Sequence, residues 1–202
     1  PEYIDTHSHL FLPEFDNDRA EVIQRALHSG VQKIILPNID SASIEPLNNM
    51  ASAYPGTCYP LMGLHPTSVN ENHRKELEVI ESRLKAGRYA GIGETGIDLY
   101  WDKTFIVQQK TALVTQLEWA VLYNLPVILH VRESFPEIFE VLLPFNGKIQ
   151  GIFHAYSGDV ERAGQRVTGR HSTAVAEVGV LGPEALEARG DIRYEGVGKE
   201  HS

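Results

Sequence analysis

Short apolar runs alternate with longer amphipathic stretches along most of this chain. The runs are rich in Ile, Val and Leu and do not alternate cleanly with polar residues, which is typical of parallel strands covered on both faces. They predict six strands, at Tyr3–His9, Val31–Pro37, Tyr59–Leu64, Ala90–Ile97, Pro126–Val131 and Lys148–His154.

The amphipathic stretches between these runs have the spacing of helices. Their apolar positions recur every three or four residues, and Gly30 and Gly87 follow the first two as C-terminal caps. They predict helices at Asp18–Ser29, Arg74–Ala86, Lys103–Tyr123 and Pro136–Leu143. Strands and helices in this order predict right-handed crossovers within a parallel α/β sheet.

The pattern weakens after Gly158. Asp159–Gly169 fits a helix and Thr173–Leu181 a strand, but the remainder is poor in large apolar residues. We therefore divide the chain into a barrel-like domain at 1–158 and an atypical tail, truncated or partly disordered, at 159–202. A complete eightfold barrel needs about 250 residues, so we expect an incomplete TIM-barrel-like (β/α) fold of about six to seven βα units.

Side chains that bind metals follow several of the predicted strands. His7 and His9 lie two residues apart, so both imidazoles leave one face of a strand, while Glu94, His130 and His154 end later strands. Taken singly, each also fits a polar strand end, a tight turn or a buried imidazole bonded to a backbone carbonyl. Because the carboxyl ends of barrel strands surround one mouth, we expect these side chains to meet there.

Histidines with one carboxylate suit Zn, Mn or a similar ion better than an all-oxygen set would. A bridged pair of ions would clamp a phosphodiester or carbonyl and lower the pKa of a bound water. We therefore predict two divalent metal ions, with Zn, Mn or Mg as the candidates.

Three further residues are predicted to contact substrate: His65, Asp98 and Arg132. Arg132 follows His130 by two residues and fits a bidentate contact with a phosphate or carboxylate, although an ion pair with Glu133 or a neighbouring acid fits as well. The other histidines fit solvated surface positions: His28, His73, His171 and His201. Cys58, the only cysteine, is expected in the core.

The net charge of −9 gives no sign of the basic face through which many proteins bind nucleic acids. A polyanionic substrate would therefore be held locally, by metal ions and a few Arg or Lys side chains. No apolar run approaches the roughly 20 residues of a membrane helix. With no signal-peptide pattern and a single cysteine, we expect a cytoplasmic protein without membrane contact.

These motifs, in this order, resemble the TatD family of metal-dependent hydrolases, many of which are deoxyribonucleases with an amidohydrolase-like TIM barrel. The matching segments are 5–10, 63–66, 93–98, 126–132 and 154–158. The resemblance implies that His7 and His9 bind one metal, His130 and His154 the other, and that Glu94 bridges them. It also implies phosphodiester hydrolysis on DNA as a 3′-exonuclease, with Glu94, His130 and His154 as catalytic residues.

The family pattern also includes a late Glu-Thr-Asp-Ser/Ala-Pro motif, whose Asp binds metal, and this sequence lacks it. Asp191 does not have the expected neighbours. Three functions therefore stay open. They are a deoxyribonuclease, a hydrolase of the same barrel class that acts on an amide, lactone or small phosphoester, and a catalytically impaired barrel that keeps its metal site.

Overall fold

A computed structural model describes residues 3–154 and the backbone of three short strands at 174–176, 187–189 and 191–193. The predicted helix at 159–169, His171, His201 and most of the predicted strand at 173–181 lie outside the described residues. The division at residue 158 stays a prediction for the same reason.

The fold is built on one parallel sheet whose strands follow chain order. The strands are β1 (Tyr3–Asp5), β2 (Val31–Pro37), β3 (Cys58–Met62), β4 (Gly91–Asp98), β5 (Val127–Arg132), β6 (Gly151–His154) and β7 (Ala174–Ala176). Each pairs in parallel with the next, from β1 to β7. This is the strand order of a TIM-like barrel, as predicted, and β8 (Glu187–Arg189) and β9 (Asp191–Arg193) form a separate antiparallel pair.

Helices connect the strands. They are α1 (Arg19–His28), α2 (Ile44–Ala53), α3 (His73–Ala86), α4 (Ile106–Tyr123) and α5 (Phe135–Leu142), with short 3-10 turns at Pro13–Phe15, Pro66–Ser68 and Leu143–Phe145. Four of the helices lie within a few residues of their predicted bounds. Across the described part of the chain, every helix is too short or too polar to span a lipid bilayer. The cytoplasmic location stays a prediction.

The sequence did not predict α2. Pro46 lies in its first turn, where backbone N–H groups have no partner inside the helix, so proline is tolerated there. Ile44, Leu47 and Met50 recur every third residue and are all buried. The helix therefore has an apolar face, but the proline made this stretch of sequence look unlike a helix.

The first strand is shorter than predicted, because β1 ends at Asp5 and the chain runs as an irregular segment through His9. This segment still follows its neighbour, since the backbone N–H of Ser8 donates to the carbonyl of Ile35 at 3.0 Å. His7 and His9 are therefore held beside the sheet without belonging to a strand.

The core lies between the sheet and the helices and includes Cys58, as predicted. Three valines on predicted apolar helix positions are instead exposed, Val79 on α3 and Val107 and Val121 on α4.

Strand β4 is buried at every position. Gly96 allows it to approach β5 closely, because a Cβ at this position would overlap the carbonyl oxygen of His130. Its φ of 151° also belongs to a region that side chains disfavour.

Candidate metal centre

Glu94, in the middle of β4, lies at the centre of a group of imidazoles. Its carboxylate is 1% exposed, and Oε2 lies 3.1 Å from Nε2 of His7 and 3.5 Å from Nε2 of His65. Nε2 of His9 is slightly farther from the same oxygen, at 3.7 Å. The other oxygen, Oε1, lies 2.9 Å from Nδ1 of His130. One carboxylate therefore has imidazoles beside both of its oxygens.

The remaining predicted ligand, His154 at the end of β6, lies in the same group. Its ring stacks on that of His7, with 3.6 Å between centroids and 5° between planes. The His130 ring lies 6.4 Å from His154 and 4.6 Å from His65, centroid to centroid. Histidines from the first strand connection to the sixth strand thus lie in one group around Glu94.

Candidate ligand atoms fall into two sets that share Glu94. The first contains His7 and His154, the second contains His65 and His130, and within each set the ligand atoms lie within 4.8 Å of one another. This grouping differs from the one that the family resemblance implies, which pairs His154 with His130. His65, predicted to contact substrate, lies here among the candidate ligands.

Burial and charge set the protonation of this cluster. Burial alone would raise the pKa of Glu94, but hydrogen bonds from His130 and His7 outweigh it and hold the pKa well below its usual range. Burial lowers the pKa of His7, and it lowers the pKa of His65 to about 4. Near neutral pH, the Glu94 carboxylate anion therefore faces the neutral imidazoles of His7 and His65, which is the protonation state in which these groups bind metals.

The donor set fits a cation on a second ground. Nε2 of His7 lies 3.0 Å from Nε2 of His9, so the two ring nitrogens face each other. Nδ1 of each ring is buried and has no hydrogen-bond partner among the described residues. A hydrogen bond between these two nitrogens requires one of them to carry a proton. A divalent cation, in contrast, accepts a lone pair from each of them.

Asp98 ends β4 and fixes the orientation of the His130 ring. Its Oδ2 lies 2.8 Å from Nε2 of His130, opposite the contact between His130 and Glu94. Burial alone would lower the pKa of His130, but Glu94 and Asp98 outweigh it and raise that pKa. Oδ1 of Asp98 accepts hydrogen bonds from the backbone N–H groups of Tyr100 at 2.9 Å and Trp101 at 3.3 Å. Substrate contact was predicted for Asp98, but it is buried and both of its oxygens are engaged.

Two glutamines of α4, which the sequence analysis did not single out, form hydrogen bonds to β4 and to the segment that follows β3. Oε1 of Gln116 accepts from the backbone N–H of Leu64 at 2.8 Å, and its Nε2 donates to Oγ1 of Thr95 at 2.7 Å. Oε1 of Gln109 accepts from the backbone N–H of Asp98 at 2.9 Å. They lie seven residues apart on the buried face of α4, and polar residues at that spacing in an apolar stripe are the signal that could have identified them.

Arg132, at the end of β5, does not contact the cluster through a salt bridge. Its guanidinium carbon lies 3.8 Å from the centre of the Tyr100 ring. Glu133 has a left-handed φ of 52°, and no ion pair joins it to Arg132 in the described part of the chain. The alternative prediction of an Arg132–Glu133 pair is therefore wrong for these residues.

The remaining described histidines lie away from Glu94. His28 is exposed, as predicted, and its Nδ1 lies 2.7 Å from the carbonyl oxygen of Gln24. The prediction of a solvated His73 is wrong, because this residue is buried at the first position of α3. Its Nδ1 lies 2.9 Å from the carbonyl oxygen of Asn70, which provides a partner inside the protein.

Comparison with known proteins places these features in a family. The sequence profile described as TatD related DNase matches residues 4–184. YjjV of Escherichia coli (strain K12), named as an uncharacterized metal-dependent hydrolase, is 32% identical over 163 residues, which are 80% of this chain and 62% of YjjV. TatD of Pectobacterium parmentieri (strain WPP163), named as a 3′-5′ ssDNA/RNA exonuclease, is 27% identical over 147 residues, 72% of this chain and 56% of that protein.

The solved structure of YjjV from E. coli K12 has the same fold. Its TM-score to this chain is 0.73 at 30% identity, and the match covers 85% of this chain and 66% of YjjV. The chain thus spans 62% of the length of its YjjV relative. The described strands form a curled part of a TIM-barrel-like sheet, as in that relative. From its sequence profile and its fold together, the chain belongs to the TatD related DNase family of metal-dependent hydrolases.

Proposed function

We propose that this protein hydrolyses phosphodiester bonds as a metal-dependent deoxyribonuclease that removes nucleotides from a 3′ end. The observation that carries the proposal is the position of Glu94, whose two oxygens face different imidazoles, His7 at 3.1 Å and His130 at 2.9 Å. A shared carboxylate between two nitrogen-rich sets fits a bridge between two cations, the arrangement that many phosphodiesterases use.

The ligands that we propose are His7, His9, Glu94, His130 and His154. His65 joins them as a candidate, because its Nε2 lies 3.5 Å from Oε2 of Glu94. Bound divalent cations, with Zn, Mn and Mg as candidates, would polarise a phosphoryl oxygen and lower the pKa of a water.

Residues outside the ligand set have two proposed roles. Asp98 positions His130, because its Oδ2 contacts the His130 ring nitrogen at 2.8 Å. Carboxylates that hold a ligating histidine in this way fix its orientation and raise its basicity. Arg132 would contact a substrate phosphate, and its guanidinium forms no salt bridge within the described residues.

One comparison supports a nuclease over other hydrolases, and the net charge limits how a nucleic acid could be held. The P. parmentieri relative named as a 3′-5′ ssDNA/RNA exonuclease matches 72% of this chain. The chain also has a net charge of −9, so a polyanion would need the cations and Arg132 to hold it. The charge does not separate a nuclease from other hydrolases, but it requires any contact with a nucleic acid strand to be local and metal-centred.

The direct test uses a single-stranded DNA oligonucleotide with a label at its 5′ end. The purified chain is treated with a chelator and then reloaded separately with Zn²⁺, Mn²⁺ or Mg²⁺. We expect a ladder of products shortened from the 3′ end, and no products with the chelated protein. The same preparations are incubated with a panel of lactones and amides. Turnover of that panel with no cleavage of DNA would contradict the proposal.

A further inference from the structure

An exposed aromatic pair follows β4 directly. Tyr100 is 49% exposed and Trp101 is 69% exposed, although most large apolar residues of the described chain are buried. The two rings lie edge to face, with 4.8 Å between centroids and 89° between planes. Exposed tryptophan and tyrosine beside a site are typical of surfaces that stack on a flat ligand.

Arg132 extends this pair from the neighbouring strand. Its guanidinium carbon lies 3.8 Å from the Tyr100 centroid and 5.3 Å from the Trp101 centroid. Contact with the Tyr100 ring face holds the planar guanidinium in place. The platform formed by Tyr100, Trp101 and Arg132 therefore combines aromatic surface with a positive charge that no carboxylate neutralises within the described residues.

A single carboxylate joins this platform to the candidate metal centre. Oδ1 of Asp98 accepts the backbone N–H groups of Tyr100 and Trp101, and Oδ2 contacts the ring of His130. Asp98 and Arg132 are also register partners on β4 and β5. Asp98 therefore holds the backbone of Tyr100 and Trp101 in a fixed position relative to His130, a proposed metal ligand.

We propose that the platform stacks on a base of a single-stranded nucleic acid while Arg132 contacts a phosphate next to that base. This inference rests on the proposed function and adds to it a subsite that binds an unpaired base. Base faces are free to stack only when a strand is unpaired or splayed, and aromatic side chains accept any base. In a chain with a net charge of −9, stacking supplies affinity that long-range attraction to a polyanion does not.

Tryptophan fluorescence tests the contact without requiring turnover. The chain has two tryptophans, and Trp101 is 69% exposed while Trp119 is 6% exposed, so the buried residue serves as an internal reference. Metal-loaded protein is titrated with a cleavage-resistant phosphorothioate oligothymidylate and with an abasic phosphorothioate strand of the same length. We expect the thymidylate strand to quench Trp101 and to bind about 10-fold or more tightly than the abasic strand. Equal quenching and affinity with both strands would overturn the proposal.

Kinetics with matched variants supply the second readout. On single-stranded DNA, Trp101→Ala is expected to raise KM about 10-fold or more and to leave kcat nearly unchanged, and Trp101→Phe to recover most of the loss. Leu122→Ala, which removes another exposed apolar side chain on α4, is expected to change neither constant. On an abasic strand, Trp101→Ala and the wild type should have the same KM. An unchanged KM for Trp101→Ala on DNA would refute stacking while leaving the nuclease proposal intact.

The two proposals fail separately. If the wild type cleaves no DNA with any of the three metals, the nuclease proposal is wrong. Fluorescence then still decides whether the platform binds a base: quenching by the thymidylate strand alone supports it, and no quenching overturns it.

Discussion

Two regions of this molecule each bury a histidine to the same extent, with different consequences. His73 at the start of α3 and His130 in the middle of the sheet are both 7% exposed. The His73 ring contacts one backbone carbonyl, that of Asn70, at 2.9 Å. The His130 ring has a carboxylate at each nitrogen, Glu94 at 2.9 Å and Asp98 at 2.8 Å. Burial is therefore common to both regions, and only the partners distinguish a structural histidine from a candidate site.

The largest difference between these regions is expected on replacing each histidine by alanine. His130→Ala removes a proposed ligand and takes one partner from each of two buried carboxylates, Glu94 and Asp98, so activity and bound metal should both fall. We expect activity to fall more than about 100-fold, which is the upper range for losing a residue that merely supports a ligand. Single-turnover cleavage and metal analysis by mass spectrometry measure the two effects.

His73→Ala is the matched control. It should leave metal content and activity close to those of the wild type and lower the free energy of unfolding by about 1 kcal/mol, through the lost hydrogen bond. Equal metal content in wild type, His130→Ala and His73→Ala would contradict the site assignment.

The support that Asp98 gives to His130 predicts the next largest effect. Asp98→Asn keeps the size of the side chain but removes the charge that faces the ring nitrogen. We expect metal affinity to fall about 10- to 100-fold, as for other residues that orient a metal-binding histidine. Competition with a fluorescent chelator measures the affinity. An affinity unchanged from that of the wild type would show that Asp98 does not act through His130.

Close packing in the site region predicts a third contrast, between two glycines with positive φ. At Gly96 a Cβ would overlap the backbone of His130, whereas at Gly56, with φ 80°, it would have no atom within 4 Å. Gly56→Ala should therefore lower stability only through its backbone conformation, by about 1 kcal/mol. Gly96→Ala should add a collision and lower stability by about 3 kcal/mol or more. Denaturant unfolding followed by circular dichroism measures both variants, and equal losses would argue against close packing at Gly96.

The smallest effect concerns the buried glutamine behind the site. Gln116→Leu leaves the N–H of Leu64 without its hydrogen-bond partner, so we expect a loss of about 1–3 kcal/mol in the free energy of unfolding. Gln24→Leu makes the same replacement on the exposed surface of α1 and should change stability by less than about 0.5 kcal/mol. The difference between the two midpoints in a thermal melt is the measurement. Similar melting temperatures would indicate that Gln116 contributes little to holding the strand ends.

The sequence predicted the sheet and the meeting of the proposed ligand side chains because both follow from local patterns. Apolar runs that carry His or Glu in successive strands of a parallel sheet bring those side chains together. Glu94 nevertheless lies in the middle of β4 and not, as the sequence pattern had predicted, at its end. The exception was α2, where Pro46 in the first turn has the same appearance as a helix breaker. The strand assigned to His7 and His9 was also too long, because continued pairing beyond Asp5 depends on the neighbouring strand.

Other features depend on contacts between distant segments, which a single sequence does not reveal. His73 is a local exception, because its partner in the buried position is the carbonyl of Asn70, only three residues earlier. Arg132 has the ring of Tyr100 as its neighbour instead of adjacent Glu133, because the loop after β4 folds over β5. The stacking of His154 on His7 likewise depends on where segments distant in sequence place the two rings. Gln109 and Gln116 differ from these features, because two polar residues seven apart on an apolar helix face can be recognised in the sequence.

Anomalous diffraction from a crystal of the chain soaked in Zn²⁺ or Mn²⁺ tests the central claim most directly. A carboxylate shared by two cations predicts two anomalous peaks, one near each oxygen of Glu94, at about 2.0–2.2 Å from their oxygen and imidazole ligands. A single peak, or peaks remote from Glu94, would contradict the bridging role of this residue.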